Sequence, residues 1–276
     1  MPLDTVATTN QEMQDILDRQ KSAHLRDGQP SVARRIEWID RCIGLLVDHQ
    51  TEIADAIAED FGHRSKDMTM FTDVASSIAQ LKHAKAHVKK WMRTQKRKVD
   101  MPLGLFGARA EVRMQPKGVV GVISPWNFPV NLTFGPLAGI LAAGNRVMIK
   151  PSEFTPITSE LMKKMFGTAF SEEEIAVVLG GPEEGAAFTA LAFDHILFTG
   201  ATSVAKHVMR AAAENLVPLT LELGGKSPVV LGRSADFEKA AARVMAGKTL
   251  NAGQICLAPD YVIAPEEKQA DFVKAA

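Results

Sequence analysis

The sequence predicts an α/β protein in which N-terminal helices precede a parallel sheet. Three observations carry that expectation. Ahead of Pro116 the apolar residues recur at three- and four-residue steps, the spacing of one helix face. After Lys117, short β-branched runs alternate with helical stretches of roughly 10–14 residues, the rhythm of βαβ units. Those runs are nearly all apolar rather than alternating, as strands covered on both faces are.

Ile36, Ile39, Ile43 and Leu46, then Ile53 and Ile57, mark one face of a helix pair. Phe71, Val74, Ile78, Leu81, Ala84, Val88 and Trp91 repeat the spacing without Pro or Gly, which predicts a single long amphipathic helix. It runs into the basic stretch 89–98, where cations complement a helix C-terminus. Segment 98–115 fits neither block, and the alternation of Ala110, Val112 and Met114 predicts an extended arm. Strands are expected at 119–123, 146–149, 175–179, 195–198 and 219–223, with apolar character continuing over 229–231. The stretch 130–143 joins the first two. Helices are expected at 159–166, about 183–191, 203–215 and 237–250. No internal repeat or low-complexity linker interrupts the order.

Composition narrows the function. An apolar share of 46% against 23% charged excludes a disordered tail or a fibrous repeat. Lys and Arg number 32, as do Asp and Glu, so no net field draws the chain to nucleic acid or anionic lipid. Cys42 and Cys256 cannot build a disulfide framework, and thiols of a reducing compartment are the expectation. Gln11, Asp15, Asp18 and Arg19 break the apolar stretches of the first thirty residues, so no signal-peptide core is expected. No run approaches the ~20 apolar residues that span a bilayer. These features predict a soluble, cytoplasmic protein with no nucleic-acid partner and no membrane segment.

A parallel sheet binds ligands beyond the carboxyl ends of its strands. Polar and glycine residues cluster there: Ser124-Pro125-Trp126-Asn127-Phe128-Pro129, Lys150-Pro151-Ser152-Glu153, Thr199-Gly200-Ala201-Thr202, and Glu222-Leu223-Gly224-Gly225-Lys226. The fingerprint G-x-G-x-x-G is absent. Gly200 and Thr202 still open a helix whose amides can face a pyrophosphate. Lys150 and Glu153 stand where an adenosine ribose offers hydroxyls to a cation and a carboxylate. Taken singly, each has an ordinary reading: a tight turn, or a solvated ion pair. Gly225-Lys226-Ser227 lacks the earlier glycine of a P-loop, since Thr220 stands there, and Pro228 follows where a helix should begin.

Of the two thiols, Cys42 shares a helix face with Ile39, Ile43 and Leu46 and reads as a buried small hydrophobe. Cys256 lies in Asn251-Ala252-Gly253-Gln254-Ile255-Cys256, on a glycine-containing turn, and is the candidate nucleophile. His83 and His87 are four apart, but Lys82, Lys85, Lys89 and Lys90 crowd them, so a solvated face is expected and no metal site. His195 reads as structural. Glu222, between two leucines, is the candidate base: an apolar surround would raise its pKa toward neutrality.

Together Pro125-Trp126-Asn127-Phe128-Pro129, Lys150-Pro151-Ser152-Glu153, Phe198-Thr199-Gly200, Leu221-Glu222-Leu223-Gly224-Gly225-Lys226 and Gly253-Gln254-Ile255-Cys256 resemble, in order and spacing, the signatures of the aldehyde dehydrogenase superfamily. Asp60-Phe61-Gly62-His63-Arg64-Ser65 further resembles its coniferyl aldehyde dehydrogenase branch, near the class-three and fatty-aldehyde enzymes. The likeness runs from about residue 30 to the end. It implies oxidation of an aromatic or medium- to long-chain aldehyde to the acid, with NAD, NADP being possible. Cys256 is then the nucleophile and Glu222 the base that activates water. Asn127 supplies its side-chain amide to an oxyanion hole completed by the Cys256 backbone N–H. Ser124, Pro125, Trp126, Asn127, Lys150, Ser152, Glu153, Phe198, Thr199, Gly200, Ala201, Thr202, Leu223 and Gly224 hold the cofactor.

The same resemblance divides the chain into 1–97, the helical part of the NAD-binding domain; 98–115, an oligomerisation arm that implies a homodimer; 116–250, a Rossmann-like domain; and 251–276, the start of a catalytic domain. On that division most of the catalytic domain lies beyond Ala276, and the arm would lack its partner strand. Two departures stand out: Ala205 where the family usually has glycine, and that early stop. The stop leaves a competing expectation, a non-catalytic nucleotide-binding fragment. An acylating dehydrogenase fits less well, because it has no use for Glu222.

Overall fold

Thr9 starts the first helix. Its hydroxyl accepts from the N–H of Glu12 (3.2 Å) while the Glu12 carboxylate accepts from Thr9 N–H (2.7 Å), a reciprocal cap on α1 (Asn10–Asp27). The computed structural model describes residues 7–276, so the reading of the first thirty residues as free of a signal core falls partly outside it. Helix α1 was not expected. Its mean composition is polar, yet Met13, Ile16, Leu17, Gln20 and Ala23 form a buried stripe. Buried Gln20 donates to Val147 O (2.9 Å) and Glu172 O (2.7 Å), tying α1 to the sheet.

Helices α2 (Val32–Asp48) and α3 (Gln50–Phe61) meet the expected helix pair, with Ile39, Leu46, Ile53 and Ile57 fully buried. The single long helix does not form as expected. A short α4 (Lys66–Thr69) leads into a π-helical turn, Met70–Ala75, and only then into α5 (Ser76–Trp91). A π turn inserts an extra residue and rotates the apolar stripe. Phe71 is therefore 74% exposed while Asp73 and Val74 turn inward. Trp91, at the helix end, is also exposed and stacks on His87 (5.7 Å between ring centroids), which stacks on His83 (4.1 Å).

The basic stretch divides after Trp91. Strand β1 (Gln95–Arg97) pairs antiparallel with β2 (Ala110–Val112), so the arm begins before residue 98 and its two strands partner each other. Its 3₁₀ turn, Leu103–Phe106, carries Leu103, Leu105 and Phe106 exposed.

Strands β3 (Val119–Ile123), β4 (Arg146–Lys150), β5 (Ile175–Val177), β6 (His195–Gly200) and β7 (Leu219–Leu223) form a sheet in the order β5-β4-β3-β6-β7. The β3–β4, β4–β5 and β3–β6 pairs are parallel. Helices α6 (Asn131–Ala142), α7 (Pro156–Ala169), α8 (Pro182–Thr189) and α9 (Thr202–Ala213) make the crossovers. Helix α7 extends beyond the expected 159–166 because Pro156 sits at its first turn, where a missing N–H does no harm. Helices α2, α3 and α5 pack on α6 and α7, and α1 packs on β3, β4 and α8. One apolar core joins α2, α3, α5, α6 and α7 to β3, β4 and β5, and within it Phe134 stacks on Phe166 at 4.9 Å. Each such buried side chain contributes about 1.5–3 kcal/mol.

Glu174, just before β5, accepts from Trp38 Nε1 (2.8 Å), Arg34 Nη2 (2.6 Å) and Arg41 Nη1 (3.2 Å). Burial pushes its carboxyl up, but the hydrogen bonds from Trp38 and Arg41 hold it below the ordinary value. A lowered native pKa stabilises the fold above the unfolded-state value and is lost as pH falls through the native one. Glu174→Gln should therefore lower unfolding stability at pH 7 by about 1–3 kcal/mol. Urea titrations should show the gap from wild type narrowing below pH ~4.3.

Contacts divide the chain into two units, one running to Thr199 and including Lys206–Leu221, the other made of Gly200–Ala205 with Glu222–Ala276. The second holds β8 (Ser227–Val230) paired parallel to β9 (Pro259–Ile263), with α10 (Phe237–Thr249) and α11 (Gln269–Ala275). No helix among the described residues is long and apolar enough to cross a membrane.

Candidate functional site

In the first unit β3 is the strand from which the chain departs both ways, through β4 and β5 on one side and β6 on the other. Ligand crevices lie at the carboxyl side of such a switch. Ile123 is in register with Lys150 on one neighbour and Phe198 on the other, so three strand ends stand level. Ser124, Pro125, Trp126, Asn127, Lys150, Ser152, Glu153, Phe198 and Thr199 therefore gather at one edge of the sheet.

Their local bonds are structural as well as available. Ser124 N–H donates to Lys150 O (3.1 Å), and its hydroxyl accepts from Thr133 Oγ1 (2.7 Å). The Ser152 hydroxyl accepts from Phe154 N–H (3.2 Å), closing a turn. Lys150 is only 3% exposed, so the solvated-pair reading does not hold. Its ammonium donates to Pro151 O (3.0 Å) and stands 3.8 Å from Glu153 Oε2. Burial pushes the Lys150 pKa down, while Glu153 and Glu184 push it back up. An ammonium has three donors, so this cation and the exposed Glu153 carboxylate match the hydroxyl pair of a ribose.

Two helix starts here borrow caps from elsewhere. Thr155 makes no side-chain bond to α7; Asp60 in α3 accepts from the N–H groups of Ile157 (3.1 Å) and Thr158 (2.8 Å) instead. For α6, Asp73 Oδ1 accepts from Val130 N–H (3.2 Å) and Asn131 N–H (3.0 Å). Arg64, paired with Asp73, donates to the Asn127 carbonyl (3.0 Å). The sequence reading gave neither Arg64 nor Asp73 a role. The one available signal was an acidic residue at 73 on the apolar stripe that also holds Val74.

In the second unit Gly200 ends β6, Ala201 follows and Thr202 opens α9. Glu222 lies on β7, where burial alternates residue by residue, and it is exposed. The expectation of an apolar enclosure is corrected: in a strand Leu221 and Leu223 face away from Glu222. Leu223 is half-buried, and Gly224 has open space where a side chain would stand. Gly225-Lys226-Ser227 opens strand β8 rather than a helix, and Lys226 pairs with Asp260 (3.2 Å), so it is no P-loop.

Asp236 caps α10 through Lys239 N–H (3.0 Å). Past α10 the backbone takes three left-handed residues in succession: Asn251 (φ 49°), Ala252 (φ 54°) and Gly253 (φ 76°). For a residue with a Cβ this region costs on the order of 1 kcal/mol. Cys256 follows in an exposed turn. Cys42, as expected, is fully buried, and burial pushes its thiol pKa up.

The model of the aldehyde dehydrogenase family matches residues 3–276. A Caulobacter vibrioides protein named "Probable coniferyl aldehyde dehydrogenase" is 70% identical over 265 residues, 96% of this chain and 55% of that protein. The coniferyl aldehyde dehydrogenase of a Pseudomonas species is 54% identical, over 96% of this chain and 54% of its own. The chain thus spans about half the length of the curated relatives it matches. Among solved structures, the substrate-bound state of Staphylococcus aureus AldH superposes with a TM-score of 0.89 at 34% identity, covering 95% of this chain and 57% of that one. An NAD+ complex of a Bacillus cereus aldehyde dehydrogenase gives 0.87 at 29% identity, covering 98% and 54%. The chain belongs to the aldehyde dehydrogenase family.

Proposed function

We propose that this chain serves the oxidation of an aldehyde to its carboxylic acid with NAD, through a thioester on Cys256. The observation that carries the reading is the contrast between two thiols in a chain of this family. Cys42 is sealed in the core, and Cys256 is exposed on a turn that follows a strained backbone.

Cys256 Sγ adds to the carbonyl carbon, and the carbonyl electron pair moves onto oxygen. Asn127, through its side-chain amide, and the Cys256 N–H donate to that oxyanion; such donors are worth about 3–4 kcal/mol. NAD held by Lys150 and Glu153 would supply the hydride acceptor for this carbon, and loss of that hydride from the Cys256 adduct would leave a thioester. Glu222 takes a proton from water, the hydroxide adds, the C–S bond breaks and the acid departs.

Lys150 and Glu153 bind the adenosine ribose, and the carboxylate beside its 2′ position opposes a 2′-phosphate, which favours NAD over NADP. Ser124, Pro125, Trp126, Ser152, Phe198, Thr199, Gly200, Ala201, Thr202, Leu223 and Gly224 line the rest of the cofactor site. The apolar Ile255 and Leu257 beside Cys256, together with the names of the relatives above, favour an aromatic aldehyde. The arm, with its exposed Leu103, Leu105 and Phe106, supports a homodimer. Absorbance at 340 nm with coniferyl aldehyde and with hexanal tests the reading. NADH formation faster with coniferyl aldehyde is expected. NAD binding without aldehyde-dependent reduction would instead favour a nucleotide-binding role alone.

A further inference from the structure

Arg64 and Asp73 form an ion pair whose side chains are 5% and 0% exposed, joined at 2.8 Å. Taking both charges out of water costs several kcal/mol, and an apolar pair of similar volume would often be as stable. Stability alone is thus a poor account of why they are there. What they hold is specific. Arg64 Nη1 donates to the carbonyl of Asn127 (3.0 Å), and Asp73 Oδ1 accepts from the amides of Val130 and Asn131 (3.2 and 3.0 Å). The pair therefore grips both ends of the segment 127–131.

The pair is itself held. The guanidinium lies 5.0 Å from the ring centroids of both Phe61 and Phe128, and it also donates to Thr72 Oγ1 (2.9 Å). Asp73 faces inward from the π-helical turn Met70–Ala75, and such turns recur at functional sites.

We propose that Arg64 and Asp73 are positioning residues for aldehyde oxidation, fixing the Asn127 main chain so that its side-chain amide meets the oxyanion. This rests on the role proposed above for Asn127. Neither residue touches substrate; they act through the backbone they clamp. A donor displaced by about 1 Å forfeits on the order of 10²-fold in rate.

A double-mutant cycle tests it, using Arg64→Met, Asn127→Ala and both together in the full chain. Asn127→Ala should lower kcat by about 10²–10³-fold. Arg64→Met should lower kcat by about 10²-fold, leaving KM and the NAD dissociation constant within roughly threefold. The combination should be no slower than Asn127→Ala alone, because the second loss acts through the first. Losses that multiply, or an Arg64→Met effect confined to KM, would overturn the positioning role while leaving Asn127 in place. A wild-type kcat for Asn127→Ala would remove the oxyanion assignment and this proposal with it. Should Arg64→Met not fold, Arg64→Lys carries the same comparison, since it keeps the charge facing Asp73 and loses the fork that also reaches Asn127.

Discussion

Replacing Cys256 by serine should reduce aldehyde oxidation by about 10³-fold or more while NAD still binds within about twofold. Serine matches cysteine in size but presents no thiolate at neutral pH, and an ester-forming oxygen is the poorer nucleophile and leaving group. Because Cys256 is exposed in a turn, the change removes no packing. Lost turnover with an unchanged melting curve would thus report chemistry rather than folding. Cys42→Ala is the matched control: it trims a thiol fully buried among apolar neighbours and should leave turnover intact. Activity retained by the Cys256→Ser protein would remove the thioester route.

A large effect on stability is expected at Gly144. It follows α6 with φ +85°, and a Cβ there would stand 2.8 Å from Cζ of Arg35. Arg35 cannot retreat: it is 1% exposed, and its guanidinium donates to Ala142 O (2.8 Å) and Pro30 O (3.1 Å). Gly144→Ala adds a left-handed alanine to an overfilled site, about 2–4 kcal/mol in all. That corresponds to a melting midpoint lower by roughly 5–15 °C. Gly139→Ala, inside α6 with open space around its added methyl, should leave the midpoint unchanged or raise it. Equal melting of the two variants would contradict this account.

Most strands of the sheet were readable because a parallel strand covered on both faces shows itself as an apolar run, whereas their order in the sheet was not. Strands β3 and β7 begin and end where the sequence places them. Reading failed where one residue decides geometry. The π turn adds a single position, so Phe71 leaves the stripe while its spacing in the sequence still looks regular. Glu222 was misread because its leucine neighbours are adjacent in sequence but opposite in direction on a strand. Helix α1 was passed over for its polar mean, although Thr9 and Glu12 stand at the separation of a reciprocal cap. The clamp on Asn127 left almost no trace, since it joins residues 63 positions apart through a carbonyl that every residue type possesses.

The unequal burial of the two thiols has a practical sequel. On the folded protein a cysteine-directed label should attach once per chain, at position 256, and a second equivalent should appear only in denaturant as the core opens. Counting those equivalents by mass would titrate competent nucleophiles and report unfolding in the same sample.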